Sequence, residues 1–339
     1  MKKYSFSFSS STVNYYFDAQ FEQLQKLVPP EQTIILTDEN IFARHKKKFK
    51  GWKTIVIKAG EAHKNQSTVD HIIEQLIETG ADRKTTLIGV GGGVITDITG
   101  YVAGIFLRGI TFGFVPTSIL AMVDASVGGK NGVDVGLYKN MVGLIRQPSF
   151  ILFDYSLLKT LPKEEWINGF AEIIKHAAIK DAAMFKILEA ARLTTFQKDT
   201  QAIAKLVQRN VLIKTKVVIN DEFESGERKL LNFGHTLGHA IENLYQIPHG
   251  HAISIGMGVA CRISEKLTGF KEGDRVNRLL KQYGLPPQFE FDKERAFDIL
   301  LKDKKKAGQQ MSFILLKKVG KAEIKLISLE DLHTLIQEL

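Results

Sequence analysis

The feature that most constrains this chain is an alternation in its first 150 residues, where short β-branched runs are interleaved with stretches carrying apolar residues at helical spacing. Thr33 to Thr37, Thr54 to Ile57, Thr86 to Val90, Thr111 to Val115 and Phe150 to Phe153 read as strands, with helices at Ser67 to Glu78 and Val94 to Phe106. Strands separated by crossover helices pair in parallel, so the expectation is an α/β domain with a doubly wound, mainly parallel, Rossmann-like sheet. After Asp154 the period becomes helical, over Lys163 to Lys180, Thr200 to Asn220, Thr236 to Tyr245, Ala252 to Leu267, Arg275 to Tyr283 and Leu329 to Leu339. Only Met311 to Lys317 and Glu323 to Ile327 look extended there. At 339 residues one core is outgrown, which predicts an α/β domain over 1–155 and a mainly α domain over 156–339. No Pro- or Gly-rich linker parts them, so a tight interdomain cleft is expected.

Apolar residues make up 44% and charged residues 24% of the chain, which excludes a disordered polymer. No window approaches the roughly 18 apolar residues of a membrane span, so a soluble, unexported protein without a membrane partner is expected. Cys261 is the one cysteine and lies in an apolar stretch; it reads as a buried, inert thiol of a cytoplasmic protein. The net charge of +9 suits an anionic partner, either nucleic acid or a phosphorylated metabolite. His45 to Lys48 reads as a solvated face, whereas Lys302 to Lys306 precedes Gly308 and a strand, where a loop can aim lysines at a ligand.

Gly89 to Asp97 follows an apolar strand and opens a helix, so its amides can approach a phosphate at the helix N-terminus. It departs from the usual dinucleotide fingerprint, because the strand-end acid comes earlier, at Asp38 with Asn40. Asp124 to Lys130 and Gly136 to Asn140 form a second tract in which glycine lets the backbone close on a ligand and lysine supplies charge. Further on, Glu172, Lys175 and His176 share a helical face flanked by apolar residues, and buried charge needs a partner or a metal. Four of the nine histidines, His235, His239, His249 and His251, fall within 17 residues beside Arg228 and Asn232. Glu172, His235 and His249 together would supply three ligands and leave a position open, the catalytic kind of zinc site.

In combination, Gly91 to Asp97, Val115 to Ser118, Asp124 to Lys130, Lys139-Asn140, Ala171 to Lys175, Asp221 to Arg228 and Leu231 to His239 resemble the 3-dehydroquinate synthases, in the family's own order and over nearly the whole chain. The resemblance implies a dehydroquinate synthase-like fold. The implied activity is conversion of 3-deoxy-D-arabino-heptulosonate 7-phosphate to 3-dehydroquinate and phosphate, in the shikimate pathway to chorismate and the aromatic amino acids. It implies a phosphate-eliminating lyase in which NAD oxidises and then re-reduces the substrate, with an aldol closure and no net redox change. Glu172, His235 and His249 match the family's zinc ligands, with cobalt also fitting such a set. Asp38, Asn40, Glu61, Lys64, Gly92, Gly93, Val94, Asp97, Thr117, Ser118, Lys139, Thr160 and Asn168 match positions that hold NAD. Substrate positions are Asp124, Lys130, Asn140, Lys175, Lys214, Arg228, Asn232, His239 and a lysine at Lys304 or Lys305. Arg108 is implied to reach a neighbouring subunit's site, hence a homodimer. His239 and Glu224 are the candidates for proton transfer, with Lys130, Lys175, Lys214 and Arg228 as further catalytic candidates.

An anionic metabolite then accounts for the positive charge, and nucleic acid becomes unnecessary. One departure is His249-Gly250-His251, where the family commonly has His-Gly-Glu; His249 is kept as ligand because its offset from His235 matches. Two related readings remain: another sugar phosphate cyclase such as 2-deoxy-scyllo-inosose synthase, or a glycerol dehydrogenase-like enzyme. Lys214 and Arg228, as the groups for a substrate carboxylate, speak for the first-named family.

Overall fold

The structure, a computed structural model, describes residues 1–136, 138–303 and 309–338, so Lys304 and Lys305 lie outside the described residues. The strands are β1 (Lys2–Ser7), β2 (Thr12–Phe17), β3 (Thr33–Asp38), β4 (Lys53–Ile57), β5 (Thr86–Gly91), β6 (Thr111–Pro116), β7 (Lys130–Val135), β8 (Tyr138–Ile145), β9 (Phe150–Leu152), β10 (Gln310–Lys318) and β11 (Lys321–Ser328). The α-helices are α1 (Glu39–His45), α2 (Gln66–Glu78), α3 (Gly93–Ile105), α4 (Lys163–Lys180), α5 (Ala182–Ala190), α6 (Leu193–Lys198), α7 (Thr200–Asn220), α8 (His235–Tyr245), α9 (His249–Thr268), α10 (Gly273–Gln282), α11 (Lys293–Asp303) and α12 (Leu329–Gln337).

The chain divides into two compact units, residues 1–162 with 199–222, and residues 163–198 with 223–339. The first carries a seven-stranded sheet in the order β1-β2-β9-β6-β5-β3-β4. Every pairing in it is parallel except β1 with β2, so an antiparallel edge closes an otherwise parallel sheet. β3 and β5 are buried along nearly their whole length, which is why they read as unbroken apolar runs rather than alternating ones. The direction of winding reverses between β3 and β5, since β4 lies on the far side of β3 while β6 follows on the far side of β5. Ligands of open parallel sheets bind outside the strands' carboxyl ends at such a reversal. Asp38 and Gly91 end the two strands that flank it.

Two features of this unit depart from the sequence reading. The tract around Asp124 to Asn140 contains a hairpin, β7 with β8, rather than a bare loop. Helix α7 belongs to this unit and not to the second half of the chain. It is tied there by Lys214, whose ammonium donates to the backbone and side chain of Asp124, and by Thr215, which hydrogen-bonds Tyr15. The boundary after Pro162 and the return of α7 replace the single cut at residue 155, because contacts distant in sequence outvote chain order.

The second unit is helical apart from the β10–β11 hairpin. Helix α4 starts directly after Pro162, with Glu164 and Glu165 in its first turn and Lys180 in its last, each placed to suit the helix dipole. From Gly169 to Ile179 it is buried on all sides. Its three polar residues there, Glu172, Lys175 and His176, are therefore in the core. Among the described residues, no helix is long and apolar enough to cross a membrane.

Candidate active site

Glu172, His235 and His249 come together although more than sixty residues separate the first from the second; their ligand atoms all lie within 4.8 Å of one another. Glu172 is fully buried on α4, and its Oε1 is 3.4 Å from Nε2 of His235 and 3.4 Å from Nε2 of His249. Lys175, one turn on and also buried, pairs with its other oxygen. Neither carboxylate oxygen makes a hydrogen bond of ordinary geometry, and a buried oxygen left in this state is suited to a cation. The two imidazoles turn their other nitrogens outward. His235 Nδ1 lies 3.2 Å from the carbonyl of Phe233, and His249 Nδ1 lies 3.2 Å from Oε2 of Glu242. Two imidazole nitrogens and a carboxylate, each imidazole anchored from behind, are a donor set that fits zinc or cobalt.

The packing of α8 on α9 makes this possible. Gly234, with φ +81°, precedes α8, and a Cβ on Gly256 of α9 would lie 1.9 Å from the Gly234 carbonyl. Only glycine lets these backbones approach so closely, and the first turn of α8 thereby faces α9. Gly250 is as confined, because its amide donates to Oδ1 of Asn168 and a Cβ would strike the Asn168 backbone.

Burial alone would raise the pKa of Glu172, but Lys175 and the imidazoles hold it well below the usual carboxylate range. Burial and the neighbouring Lys175 push His235 down. Burial also opposes charge on His249, yet contacts with Glu172 and Glu242 raise it to about 9. His239 is exposed, one turn after His235, with ring centroids 5.1 Å apart. A cavity of about 300 Å³ is lined by Glu224, Lys229, Asn232 and, at the start of α8, Thr236, among others. Asn232 donates to the Glu224 carboxylate at 2.6 Å, and Glu224 sits at φ +60°, a left-handed backbone uncommon for a residue other than glycine. Arg228 is buried in the 3-10 turn just before. His251 is half-buried on α9 and belongs to no metal-competent group among the described residues.

In the first unit the predicted NAD positions gather at the strand ends. Gly92 caps α3, followed by Gly93 and Val94 in its first turn. Asp38 caps α1 with one oxygen, accepting from the amides of Asn40 and Ile41. Lys64 is buried and donates to Asp97 and to Asn140, both at 2.6 Å; burial opposes its charge, but Asp97 and Glu61 keep it firmly protonated. Asn140, at φ +53°, is held by its own amide on Asp134. Lys139 lies 3.6 Å from Glu61. Thr117 and Ser118 are buried just after β6, with the Thr117 amide on the Gly91 carbonyl. Thr160 meets Arg44 and His45 through its carbonyl and hydroxyl, at 2.8 Å each. Lys130 is exposed at the start of β7. Arg108 is exposed at φ +67° after α3. Asn168, also among the predicted NAD positions, lies on α4 in the second unit.

Residues 54–168 match the family described as 3-dehydroquinate synthase N-terminal, and residues 169–306 match 3-dehydroquinate synthase C-terminal. The chain belongs to the 3-dehydroquinate synthase family. The 3-dehydroquinate synthase of Campylobacter concisus (strain 13826) is 42% identical over 277 residues, 80% of this chain and 79% of the relative. That of Thermodesulfovibrio yellowstonii (strain ATCC 51303 / DSM 11347 / YP87) is 41% identical over 293 residues, 84% and 81% of the two chains. Among solved structures, 2-deoxy-scyllo-inosose synthase complexed with carbaglucose-6-phosphate, NAD+ and Co2+ superposes with a TM-score of 0.87 at 25% identity, covering 99% of each chain. The dehydroquinate synthase-like fold expected from the resemblance is the fold observed.

The sequence reading did not single out Glu242. The signal was available, since Glu242 follows His235 by seven residues and His239 by three, which puts all three on one stripe of α8.

Proposed function

We propose that this chain converts 3-deoxy-D-arabino-heptulosonate 7-phosphate to 3-dehydroquinate and phosphate, as a phosphate-eliminating lyase that holds NAD and a zinc or cobalt ion. The observation that carries the reading is the triangle of Glu172, His235 and His249 around a fully buried carboxylate, in a chain 42% identical to a 3-dehydroquinate synthase. Glu172, His235 and His249 hold the ion. When bound, the ion would supply Lewis acidity at a substrate hydroxyl and the nicotinamide reversible hydride acceptance, a chemistry with no net redox change.

The chain's own residues do the rest. Asp38, with one oxygen committed to its helix cap, offers the other to a ribose hydroxyl, and Gly92, Gly93 and Val94 present amides to the pyrophosphate at the start of α3. Lys64, Asp97, Glu61, Lys139, Asn40, Thr117, Ser118, Thr160 and Asn168 complete the NAD contacts. His239 and Glu224 move protons at the reacting hydroxyl, Glu224 being held by Asn232. Lys130, Lys175, Lys214, Arg228 and a lysine at Lys304 or Lys305 bind the phosphate and carboxylate through charge-assisted hydrogen bonds, while the Asn140 amide and the Asp124 carboxylate, which only accepts, meet the substrate hydroxyls. The Lys214 ammonium is already fixed by two bonds of 2.7 Å to Asp124.

The working form is a homodimer. Val135, Tyr138, Met141, Val142 and Ile145 are exposed apolar residues of the β7–β8 hairpin, and Met141 is 65% accessible. The hairpin packs on α3, whose end carries exposed Ile105 and Leu107 before the left-handed Arg108. Exposed apolar residues on the hairpin and at the end of α3, with the exposed left-handed Arg108, are what a second copy receiving Arg108 would cover. A cytoplasmic setting agrees with the single thiol, Cys261, which is buried and pushed up in pKa by that burial.

Phosphate release from the heptulosonate phosphate tests the reading. Turnover that needs NAD, stops with chelator and leaves no NADH supports it. Turnover only of glucose 6-phosphate would move the chain to the inosose synthases, and NADH accumulating on polyols would make it a dehydrogenase.

A further inference from the structure

We propose that Glu242 is a positioning residue for the metal, accepting the Nδ1–H of His249 and so fixing the tautomer that offers Nε2 to the ion. This rests on the metal-dependent reading above. His249 has its two nitrogens between two carboxylates: Nε2 is 3.4 Å from Glu172, on the ligand side, and Nδ1 is 3.2 Å from Glu242, behind it. Left to itself a neutral imidazole divides its proton between the two nitrogens, and the tautomer protonated at Nε2 cannot bind a cation there. His235 sets the pattern for comparison. Its Nδ1 faces the Phe233 carbonyl, which can only accept, so its proton lies at Nδ1 and the Nε2 lone pair faces Glu172. Glu242 does for His249 what the carbonyl does for His235, with a negative charge added that makes the imidazole a stronger donor to the ion.

The placement of Glu242 supports the assignment. It is only 4% exposed, and a buried carboxylate is costly unless something holds it charged. It lies seven residues after His235 on α8, so one helix supplies both a ligand and the group that orients the ligand on the next helix. His239, Glu242 and His249 also lie within 4.8 Å of one another and have the composition of a second cation site. That arrangement would need the Nδ1 of His249 as a ligand, which competes with the hydrogen bond. The proposal therefore requires a single ion per chain, bound through Nε2.

The experiment is chelator competition for Co2+ and Zn2+ on the full-length protein, with metal counted per chain. Failure of the wild type to bind either ion would refute the metal reading itself. If the wild type binds one ion, Glu242→Leu is expected to bind it about 10–100-fold more weakly. Glu242→Gln, whose amide oxygen still accepts from Nδ1–H, recovers part of that loss. Thermal melting checks that both variants fold. A measurement on the unmodified protein stands beside them: 15N-histidine NMR of the zinc-loaded wild type should place the proton of His249 on Nδ1 and the metal on Nε2. Wild-type affinity in folded Glu242→Leu, zinc on Nδ1, or a second ion lost with Glu242 would each overturn the proposal.

Discussion

The two units offer different kinds of binding surface. In the first, the candidate NAD cradle adds backbone to side chains: strand ends, the amides opening α3 and turns set by small residues, beside Asp38 and the ion pair of Lys64 with Asp97. In the second, the candidate metal centre is made of side chains from α4, α8 and α9, meeting where each helix is buried. A backbone-built site fails when a side chain is added where none fits. A side-chain site fails when a charge is removed and its partners are left stranded in the core.

The largest effect expected from this contrast is at Glu172. Glu172→Ala leaves Lys175 buried without its counter-ion, which costs about 3–5 kcal/mol. Metal content should fall to background, with a lowered unfolding midpoint, while NAD affinity of the first unit persists; retention of one ion per chain would refute the ligand assignment. Next comes the backbone side of the comparison. A Cβ on Gly91 would lie 2.5 Å from the side chain of Ile95, so Gly91→Val should cost about 1–3 kcal/mol through overpacking. NAD binding, followed by titration calorimetry, should weaken by about tenfold or more, for about 1.4 kcal/mol per decade, with metal stoichiometry unchanged. Loss of metal in that variant would mean that the two halves are not separable.

A smaller effect concerns pH. His249 is held protonated up to about 9, and the ion must displace that proton, whereas His235 is pushed below the usual histidine value and is already neutral at pH 7. Metal affinity of the apo protein should therefore fall by about tenfold for each pH unit below 9 and level off above it, one proton being released per ion bound. A flat profile between pH 7 and 9 in chelator competition would contradict it. The smallest effect is expected at His251, which is half-buried and outside the metal group. His251→Ala should change stability by no more than about 0.5 kcal/mol and leave metal content at one ion per chain.

Much of the first unit was legible in the sequence because parallel strands, buried on both faces, leave continuous β-branched runs, and all five predicted strands are present. The N-terminal strands β1 and β2 escaped notice, since an edge strand with its Phe and Ser alternating carries a weaker signal. The hairpin β7–β8 was hidden among glycines and lysines that read equally well as a ligand loop. Helices α4 and α7 were found with their full extents, yet α7 was assigned to the wrong unit. Helical period shows which face of α7 is apolar and says nothing of which surface covers it; Lys214 with Asp124 and Thr215 with Tyr15 decide that across 90 and 200 residues.

At the metal centre the division is sharper. By itself the sequence determined the candidate ligand types, the one-turn spacing of His235 and His239, and the burial of Glu172 among apolar neighbours, because local period and residue chemistry are properties of neighbours along the chain. Only the tertiary structure decided that both Nε2 atoms converge on one oxygen of Glu172, that His251 stays outside, and that Glu242 stands behind His249. Those choices depend on the close approach of α8 and α9 through Gly234 and Gly256. Contacts between helices are set by packing in three dimensions, and spacing along the chain carries no record of them.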